Sequence, residues 1–275
     1  MSKIIFLDID DTLLDHEKYN KVLDSTTEAI QKAQKNGHKI ILCTGRTKSN
    51  VHPDLIPFKS DGEIYGAGTT ILADGKMLLN VSIPKQDLLD MIQDFNKYEF
   101  GYTLEGEFES FCDDFCTERR KHFAAHHGVT QEREDILSSE DTHFHMREFF
   151  EDTIMNKITI FAKTKQDLDA FIEKWKDRYD CVIHPEKENR IPVEILIKNI
   201  SKASGMDIIL DHFHKTLEDS IAFGDSMNDY EMIAHAHTGV VMGNGNEKLK
   251  EIADIVCARS SEDAIYETFQ KLNLI

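Results

Sequence analysis

The first 45 residues of the chain read as strand, helix and strand, and this order constrains the fold more than any other feature. Residues 3–9 are apolar and rich in isoleucine, which is typical of a buried parallel strand. Apolar residues with helical spacing at 25–36 end at Gly37, a common C-cap, and 38–43 is a second apolar strand. This opening predicts a parallel sheet with helices on its faces.

The pattern changes after residue 60. Residues 61–82 read as paired strands around Asp74-Gly75, a dipeptide that favours a tight hairpin turn. A helix is expected over 85–98, and the stretch 99–185 is less regular. Within that stretch the sequence predicts a small α+β unit, made of a strand at 157–162, a helix at 165–176 and a strand at 180–184.

Alternating strands and helices resume with a strand at 194–197 and continue to a helix near 262–272. The predicted fold class is therefore α/β, with an inserted domain. Residues 1–82 and 186–275 are expected to form a Rossmann-like, doubly wound parallel sheet core. Residues 83–185 are expected to form the inserted α+β domain.

Charge and composition exclude several classes of function. The chain has 32 basic and 50 acidic residues, a net charge of −18, so a nucleic-acid partner is not expected. An acidic enzyme that acts on anionic substrates needs a cation, which is a first indication of Mg²⁺. No apolar run approaches the roughly 18 residues of a membrane span, so no membrane partner is expected. Five scattered cysteines and the absence of a signal-peptide pattern predict a cytoplasmic protein.

The strongest chemical signal is the motif Asp8-Ile9-Asp10-Asp11-Thr12, directly after the first strand. Its position at the carboxyl end of that strand is where open α/β sheets bind ligands. Three carboxylates in four positions repel one another, and a bound cation would relieve that repulsion. Asp8 and Asp10 point to the same side of an extended segment, so one could be a nucleophile and the other an acid/base. The alternative is an acidic loop that caps a helix.

Two further motifs follow apolar strands. Gly224-Asp225-Ser226-Met227-Asn228-Asp229 places Asp225 at a strand end, with more oxygen ligands for a hard metal on the next turn. Alone, it could be an N-cap cluster. Thr44-Gly45-Arg46 offers a hydroxyl and a freed backbone to a phosphoryl oxygen, although a strand followed by Thr-Gly is also an ordinary turn.

Cys112 and Cys116 have plausible ligand spacing for a structural zinc site. Histidines follow at 122, 126, 127, 143 and 145. There is no second cysteine pair, and adjacent histidines at 126 and 127 lack the i, i+4 geometry of helical ligands. A histidine-rich surface on the inserted domain is the favoured interpretation.

The motifs together resemble the haloacid dehalogenase superfamily of phosphohydrolases, and most closely its Cof-like branch with a large inserted cap. The resemblance rests on four segments, which occur along the chain in this order: "DIDDTLL", "TGR", Lys202 in "VEILIKNISKASGMDIIL", and "GDSMNDYEM". A lone lysine is usually a solvated surface charge, and Lys202 is singled out only by this resemblance. Many relatives have glycine where this chain has Asp11. The resemblance covers the core at both ends, whereas the inserted domain carries no diagnostic motif.

The resemblance implies a role for each residue. Asp8 would be the nucleophile that forms an aspartyl-phosphate, and Asp10 would be the acid/base. Mg²⁺ would bind the Asp8 carboxylate, the Asp10 backbone carbonyl and Asp225. The phosphoryl group would be held by Thr44, Gly45, Lys202 and Asn228. Asp229 would act through Lys202 or through a metal-bound water.

The expected activity is a Mg²⁺-dependent phosphatase of small phosphorylated metabolites. Sugar phosphates are the leading class, and FMN and pyridoxal phosphate are further candidates, since relatives dephosphorylate them. Two alternatives stay open: a phosphomutase that uses the same intermediate, and a non-catalytic ligand-binding regulatory protein on the same fold. The protein is expected to be a monomer or a small homo-oligomer.

Overall fold

The computed structural model describes residues 2–119 and 154–275. The chain divides into two compact units. The first, the core unit, comprises Met1–Thr47, Val51–Asn80 and Asn199–Ile275. The second, the inserted unit, comprises Lys48–Asn50 and Val81–Lys198.

The secondary structure of the described residues is as follows. The strands are β1 (Ile4–Leu7), β2 (Leu14–Asp15), β3 (Lys21–Val22), β4 (Lys39–Cys43), β5 (Gly62–Tyr65), β6 (Thr70–Ala73), β7 (Lys76–Asn80), β8 (Gly101–Gly106), β9 (Ser110–Cys112), β10 (Met155–Ala162), β11 (Tyr179–Ile183), β12 (Ile191–Ile197), β13 (Ser220–Gly224), β14 (Thr238–Val241) and β15 (Ile255–Val256). The main helices are α1 (Asp24–Lys35), α2 (Lys85–Tyr98), α3 (Lys165–Trp175), α4 (Lys202–His212), α5 (Tyr230–His235), α6 (Glu247–Lys250) and α7 (Ala264–Lys271).

The core unit is built on an eight-stranded sheet with the order β15-β14-β13-β1-β4-β5-β6-β7. The first six strands in this order are parallel, and β6 and β7 continue the sheet as an antiparallel hairpin. The chain leaves β1 towards β4 and later returns on its other side at β13. This reversal of direction is the switch point at which doubly wound sheets bind ligands, and it confirms the predicted α/β fold class.

Both faces of this sheet are buried, which explains the near-continuous apolar character of its central strands. Ile5 and Leu7 of β1 face one hydrophobic cluster, which includes Ile30 of α1 and Phe269 of α7. The alternate residues of β1 face a second cluster on the opposite side, which includes Met206 of α4 and Met232 of α5. Helices on both faces fix the sheet and leave the strand ends to carry polar side chains.

The inserted unit contains an antiparallel five-stranded sheet with the order β11-β12-β10-β8-β9. One face of this sheet packs against α2 and α3 through a cluster that includes Ile92, Phe95, Ile158, Phe171 and Trp175. The helix predicted over 85–98 is confirmed at those bounds. The inserted unit therefore has a hydrophobic core of its own.

The position of β12 differs from the expectation. The sequence assigned a strand at 194–197 to the core and ended the inserted domain at 185, whereas β12 pairs with β10 and β11 in the smaller sheet. The boundary between the two units lies after Lys198. The pattern of β12 explains the difference, because Val193 and Ile195 are buried while Glu194 between them is partly exposed. That alternation is typical of an antiparallel strand with one polar face.

In the ranges 2–119 and 154–275, no helix is both long enough and apolar enough to cross a bilayer. Cys112 and Cys116 of the discarded zinc interpretation are buried free thiols. The histidines at 122, 126, 127, 143 and 145 lie outside the described residues.

Candidate active site

Three neighbouring parallel strands, β13, β1 and β4, bring the polar motifs to one edge of the core sheet. Leu7 at the end of β1 is in register with Phe223 of β13 and with Leu42 of β4. The next residue, Asp8, donates its backbone N–H to the carbonyl of Phe223 at 3.1 Å. The residues that follow these three strands, Asp8, Thr44 and Asp225, therefore lie at the same edge, as their strand positions predicted.

Lys202 is at the centre of this edge, although it lies at the start of α4, far away in sequence. Its side chain is 1% exposed. The Nζ atom donates to Asp8 Oδ1 at 2.6 Å and to Asp229 Oδ1 at 2.5 Å. Burial alone would lower the pKa of Lys202, but the charges of Asp229 and Asp8 outweigh it and raise that pKa well above its usual value. Lys202 is therefore a buried ammonium group, not a surface charge.

Two glycines allow the buried ion pairs to form. A Cβ atom at Gly68 would lie 2.4 Å from the carbonyl oxygen of Ser201, the N-cap residue of α4. Gly68 also has a φ of +113°, which a side chain disfavours. A Cβ atom at Gly224 would lie 2.6 Å from Cγ of Asp229. The close approach of Lys202 and Asp229 to the sheet edge thus depends on the absence of these side chains.

The acidic cluster at this edge contains Asp8, Asp225 and Asp229, whose carboxylate oxygens lie within 4.8 Å of one another. Both oxygens of Asp229 are engaged, one by Lys202 and the other by the backbone N–H groups of Asp225 and Ser226 at 3.0 Å each. Asp225 Oδ1 accepts a hydrogen bond from the Thr12 hydroxyl at 2.8 Å. Both Asp229 oxygens are therefore already used to hold Lys202 and the loop that carries Asp225.

The electrostatics of the cluster fit a bound cation. Burial raises the pKa of Asp8 well above its usual value, and Lys202 offsets only part of this because Asp229 and Asp225 are negative neighbours. Burial likewise raises the pKa of Asp225 to about 7, with a further contribution from the charge of Asp229. One ammonium group does not balance three crowded carboxylates. A hard divalent cation would do so, and oxygen donors are its preferred ligands.

Asp10 has a different environment from Asp8. Its carboxylate receives Arg46 Nε at 2.7 Å, a second guanidinium nitrogen of the same arginine, and His16 Nε2 at 2.8 Å. Burial would raise the pKa of Asp10, but the hydrogen bonds from His16 and Arg46 outweigh burial and hold that pKa well below its usual range. The bond to Asp10 in turn raises the pKa of His16. Asp10 is therefore held as a carboxylate.

The remaining motif residues at this edge are uncharged. Thr44 is buried, and its Oγ1 accepts a hydrogen bond from the backbone N–H of Arg46 at 3.1 Å. Gly45 lies between them in the turn that follows β4. Asn228 is half-buried, and its Oδ1 accepts a hydrogen bond from Ser226 at 2.7 Å.

Two residues at this edge were not assigned a role from the sequence. Arg46 belongs to the "TGR" motif, and its ion pair with Asp10 could have been suspected from that position. His16 follows β2, and no local signal connects it with Asp10. Asp11, which stands where many relatives of the resembled family have glycine, has a φ of +54°, in the left-handed region that favours glycine.

Comparisons with known proteins identify the family of this chain. The family model of haloacid dehalogenase-like hydrolases matches residues 5–269. This chain belongs to that family. It is 27% identical over 271 residues to the pyridoxal phosphate phosphatase YbhA of Escherichia coli K12, covering 96% of each chain. It is 26% identical over 276 residues to the 5-amino-6-(5-phospho-D-ribitylamino)uracil phosphatase YitU of Bacillus subtilis 168, covering 95% of this chain and 94% of that protein.

A solved structure extends the likeness in fold across the whole chain. The HAD subclass IIB sugar phosphatase BT4131 superposes with a TM-score of 0.75 at 24% identity, covering 100% of both chains. The family match and the relatives make this chain an enzyme, a phosphoric monoester hydrolase of the haloacid dehalogenase type.

Proposed function

We propose that the enzyme is a Mg²⁺-dependent phosphatase of small phosphorylated metabolites that works through an aspartyl-phosphate. The observation that carries the proposal is the cluster of Asp8 and Asp225, which follow two adjacent parallel strands, with the buried side chains of Lys202 and Asp229. It combines a carboxylate nucleophile, a fixed cation and a further carboxylate for a metal in one small space. Phosphoryl transfer requires these parts together, because positioning and charge stabilisation are most of its catalysis.

The metal would be held by the carboxylates of Asp8 and Asp225 and by the backbone carbonyl of Asp10. Bound there, Mg²⁺ would neutralise charge on the phosphoryl oxygens and help to orient them. Asp229 supports the site indirectly, since its oxygens hold Lys202 and the backbone of the loop that carries Asp225. The donor set of carboxylate and carbonyl oxygens suits Mg²⁺ better than a softer metal.

In the proposed first step, an Asp8 oxygen attacks phosphorus while the bond from phosphorus to the leaving oxygen breaks. Asp10, a carboxylate before substrate binds, takes up a proton as the anionic phosphate arrives beside it, and it gives that proton to the leaving oxygen, which departs as an alcohol. In the second step, Asp10 takes a proton from water as the water attacks phosphorus. The bond between phosphorus and Asp8 then breaks and inorganic phosphate is released. Lys202, Thr44, the Gly45 backbone and Asn228 would hold the phosphoryl oxygens.

Substrate choice is proposed to lie in the inserted unit, because the proposed catalytic residues all belong to the core unit. The sheet face opposite the α2 and α3 helices carries polar side chains that are unusual for a sheet face so little exposed. Glu105 is 7% exposed and accepts hydrogen bonds from Thr159 at 2.7 Å and from Asn50 at 2.8 Å. Such a face suits a hydroxyl-rich leaving group, which supports sugar phosphates as the leading class.

A screen of phosphorylated metabolites tests the proposal. Sugar phosphates, FMN and pyridoxal phosphate are supplied with Mg²⁺ or with EDTA, and inorganic phosphate is measured. We expect phosphate release that depends on Mg²⁺. Recovery of the phosphoryl group on a sugar hydroxyl would identify a phosphomutase, and turnover in neither condition would favour a binding protein.

Asp225→Asn should lower Mg²⁺-dependent turnover of p-nitrophenyl phosphate by at least about 10²-fold, the scale for loss of one electrostatic stabiliser. In EDTA the same change should stabilise the fold at alkaline pH. Folding raises the pKa of Asp225 to about 7, so the folded protein favours the protonated carboxyl. The contribution of this group to the free energy of unfolding is therefore intact below the pKa of the unfolded chain, and it is lost as pH rises through 7. The variant should therefore melt higher than wild type at pH 8, with a smaller gain at pH 5. A wild-type rate, or a gain independent of pH, would contradict the assignment.

Asp10→Asn should accumulate the covalent intermediate. p-Nitrophenolate leaves without protonation, so the first step suffers little, whereas the second step loses its base and slows by about 10²–10⁴. Mass spectrometry of acid-quenched protein should then find an adduct of about 80 Da on Asp8. The Asp8→Asn/Asp10→Asn double variant is the matched control and should show none. An adduct on a serine or a histidine would rule out this mechanism.

A further inference from the structure

We propose that His16 is a positioning residue that holds the Asp10 carboxylate in the orientation needed for proton transfer. This inference rests on the proposed function, in which Asp10 is the acid/base. His16 Nε2 lies 2.8 Å from Asp10 Oδ1, and both residues are on the surface side of the site, with about a third of each side chain exposed. No motif in the sequence assigned His16 a role.

The turn that carries His16 is rigidly built. His16 follows β2, and the adjacent Asp15 is fully buried, where its Oδ2 accepts the backbone N–H groups of Lys18 and Tyr19 at 2.9 and 2.7 Å. The backbone N–H of His16 donates to Asp11 Oδ1 at 3.3 Å. These bonds close the turn between β2 and β3 and fix the point from which the imidazole reaches back to Asp10.

The orientation of the imidazole ring is also fixed. Its Nδ1 lies 3.2 Å from Asn20 Oδ1, on the far side of the ring from Asp10. Partners at both ring nitrogens therefore set the plane of the ring. A ring held at both ends can hold its partner carboxylate in a defined direction, as the outer partners of catalytic and metal-binding side chains do.

Arg46 and His16 contact the Asp10 carboxylate from different sides. The guanidinium binds both oxygens from the side of β4, whereas the imidazole binds Oδ1 from the side of the β2–β3 hairpin. Arg46 alone would supply charge, but the carboxylate could still rotate with the long arginine side chain. The second contact, from a short and rigid side chain, removes that rotation.

The consequence is specific to proton transfer. A misdirected Asp10 still leaves Asp8, Lys202 and the proposed metal site in place, so binding and attack on phosphorus continue. What is lost is protonation of the leaving oxygen in the first step and removal of a proton from water in the second. Because kcat/KM reports events up to departure of the alcohol, it isolates the first loss, and an error of about 1 Å in the placement of a catalytic group can cost about 10²-fold. Esters with poor leaving groups should suffer most, since they depend most on that proton.

The experiment measures kcat/KM for phenyl phosphate and p-nitrophenyl phosphate in wild type, His16→Leu and His16→Gln. The leucine cannot form the hydrogen bond, whereas the glutamine retains a side-chain N–H that can donate to Asp10. Glu17→Gln is the matched control, because Glu17 lies in the same turn and pairs with Arg259. Thermal unfolding checks that all variants are folded.

We expect His16→Leu to lower kcat/KM for phenyl phosphate about 10–100-fold. The loss in kcat/KM for p-nitrophenyl phosphate should be smaller than that loss by a factor of at least about ten. His16→Gln should recover most of that loss, and Glu17→Gln should match wild type on both esters. Equal losses on the two esters, or a glutamine variant no better than leucine, would overturn the positioning role. Wild-type protein that releases no phosphate from either ester would overturn the proposed function itself, and this inference with it.

Discussion

Asp8→Asn should reduce phosphatase activity by at least about 10⁴-fold, the scale on which removal of a covalent nucleophile acts. The amide has the shape of the carboxylate but cannot attack phosphorus, so no aspartyl-phosphate should form. The fold should persist, because Lys202 keeps Asp229 as a charged partner and the buried cluster loses one of its repelling carboxylates. In EDTA the melting temperature should be unchanged or higher than that of wild type.

The matched control for this variant is Asp11→Asn. Asp11 belongs to the same motif, and its carboxylate accepts the backbone N–H of His16. Its φ of +54° is one that asparagine tolerates. Asp11→Asn should stay within about tenfold of wild type, since an amide oxygen can still accept that bond. If Asp8→Asn retained activity, or if both variants fell by the same factor, Asp8 would not be the nucleophile.

The strand ends of the site could be predicted from the sequence because they depend on local patterns. Each short apolar strand is followed at once by its polar residue, and parallel strands place those residues on one edge. The turn at Asp74-Gly75 and the α2 helix were also predictable, because turn chemistry and helical spacing are read within a few residues. These features needed no knowledge of distant contacts.

The burial of Lys202 could not be predicted from the neighbouring sequence. Its two partners lie 194 and 27 residues away in the chain, and no local pattern identifies a lysine at a helix start as buried. Only the resemblance to a family singled it out. The same reason hides His16, whose contact with Asp10 depends on how the β2–β3 hairpin turns back.

The strand β12 shows a different kind of failure. The sequence predicted the strand but not the sheet to which it belongs. A short apolar segment fits either the parallel sheet of the core or the antiparallel sheet of the inserted unit. The available signal in the sequence was the charged Glu194 between the apolar Val193 and Ile195. Weighing that alternation would have placed the strand with β10, where Glu194 pairs with Lys157 at 2.6 Å.

The second large effect is expected from Lys202→Met. Methionine fills much of the lysine volume but leaves Asp8 and Asp229 buried without their cation. Breaking a buried ion pair from one side costs about 3–5 kcal/mol in the free energy of unfolding. Turnover should also fall by about 10²–10³, because a fixed charge beside the phosphoryl oxygens is lost. Urea unfolding and kcat on p-nitrophenyl phosphate measure the two effects.

A second substitution separates stability from catalysis. In Lys202→Met/Asp229→Asn, one of the stranded charges is removed, and the asparagine oxygen can still accept the backbone N–H groups of Asp225 and Ser226. The double variant should regain part of the lost stability but none of the lost turnover, since the cation is still missing. Lys39→Met is the control, because Lys39 pairs with Asp61 at 2.9 Å at the opposite end of β4 from Thr44. It should cost about 1 kcal/mol or less, as partly exposed ion pairs do, and should leave kcat near wild type. Recovery of turnover in the double variant would mean that Lys202 serves the fold alone.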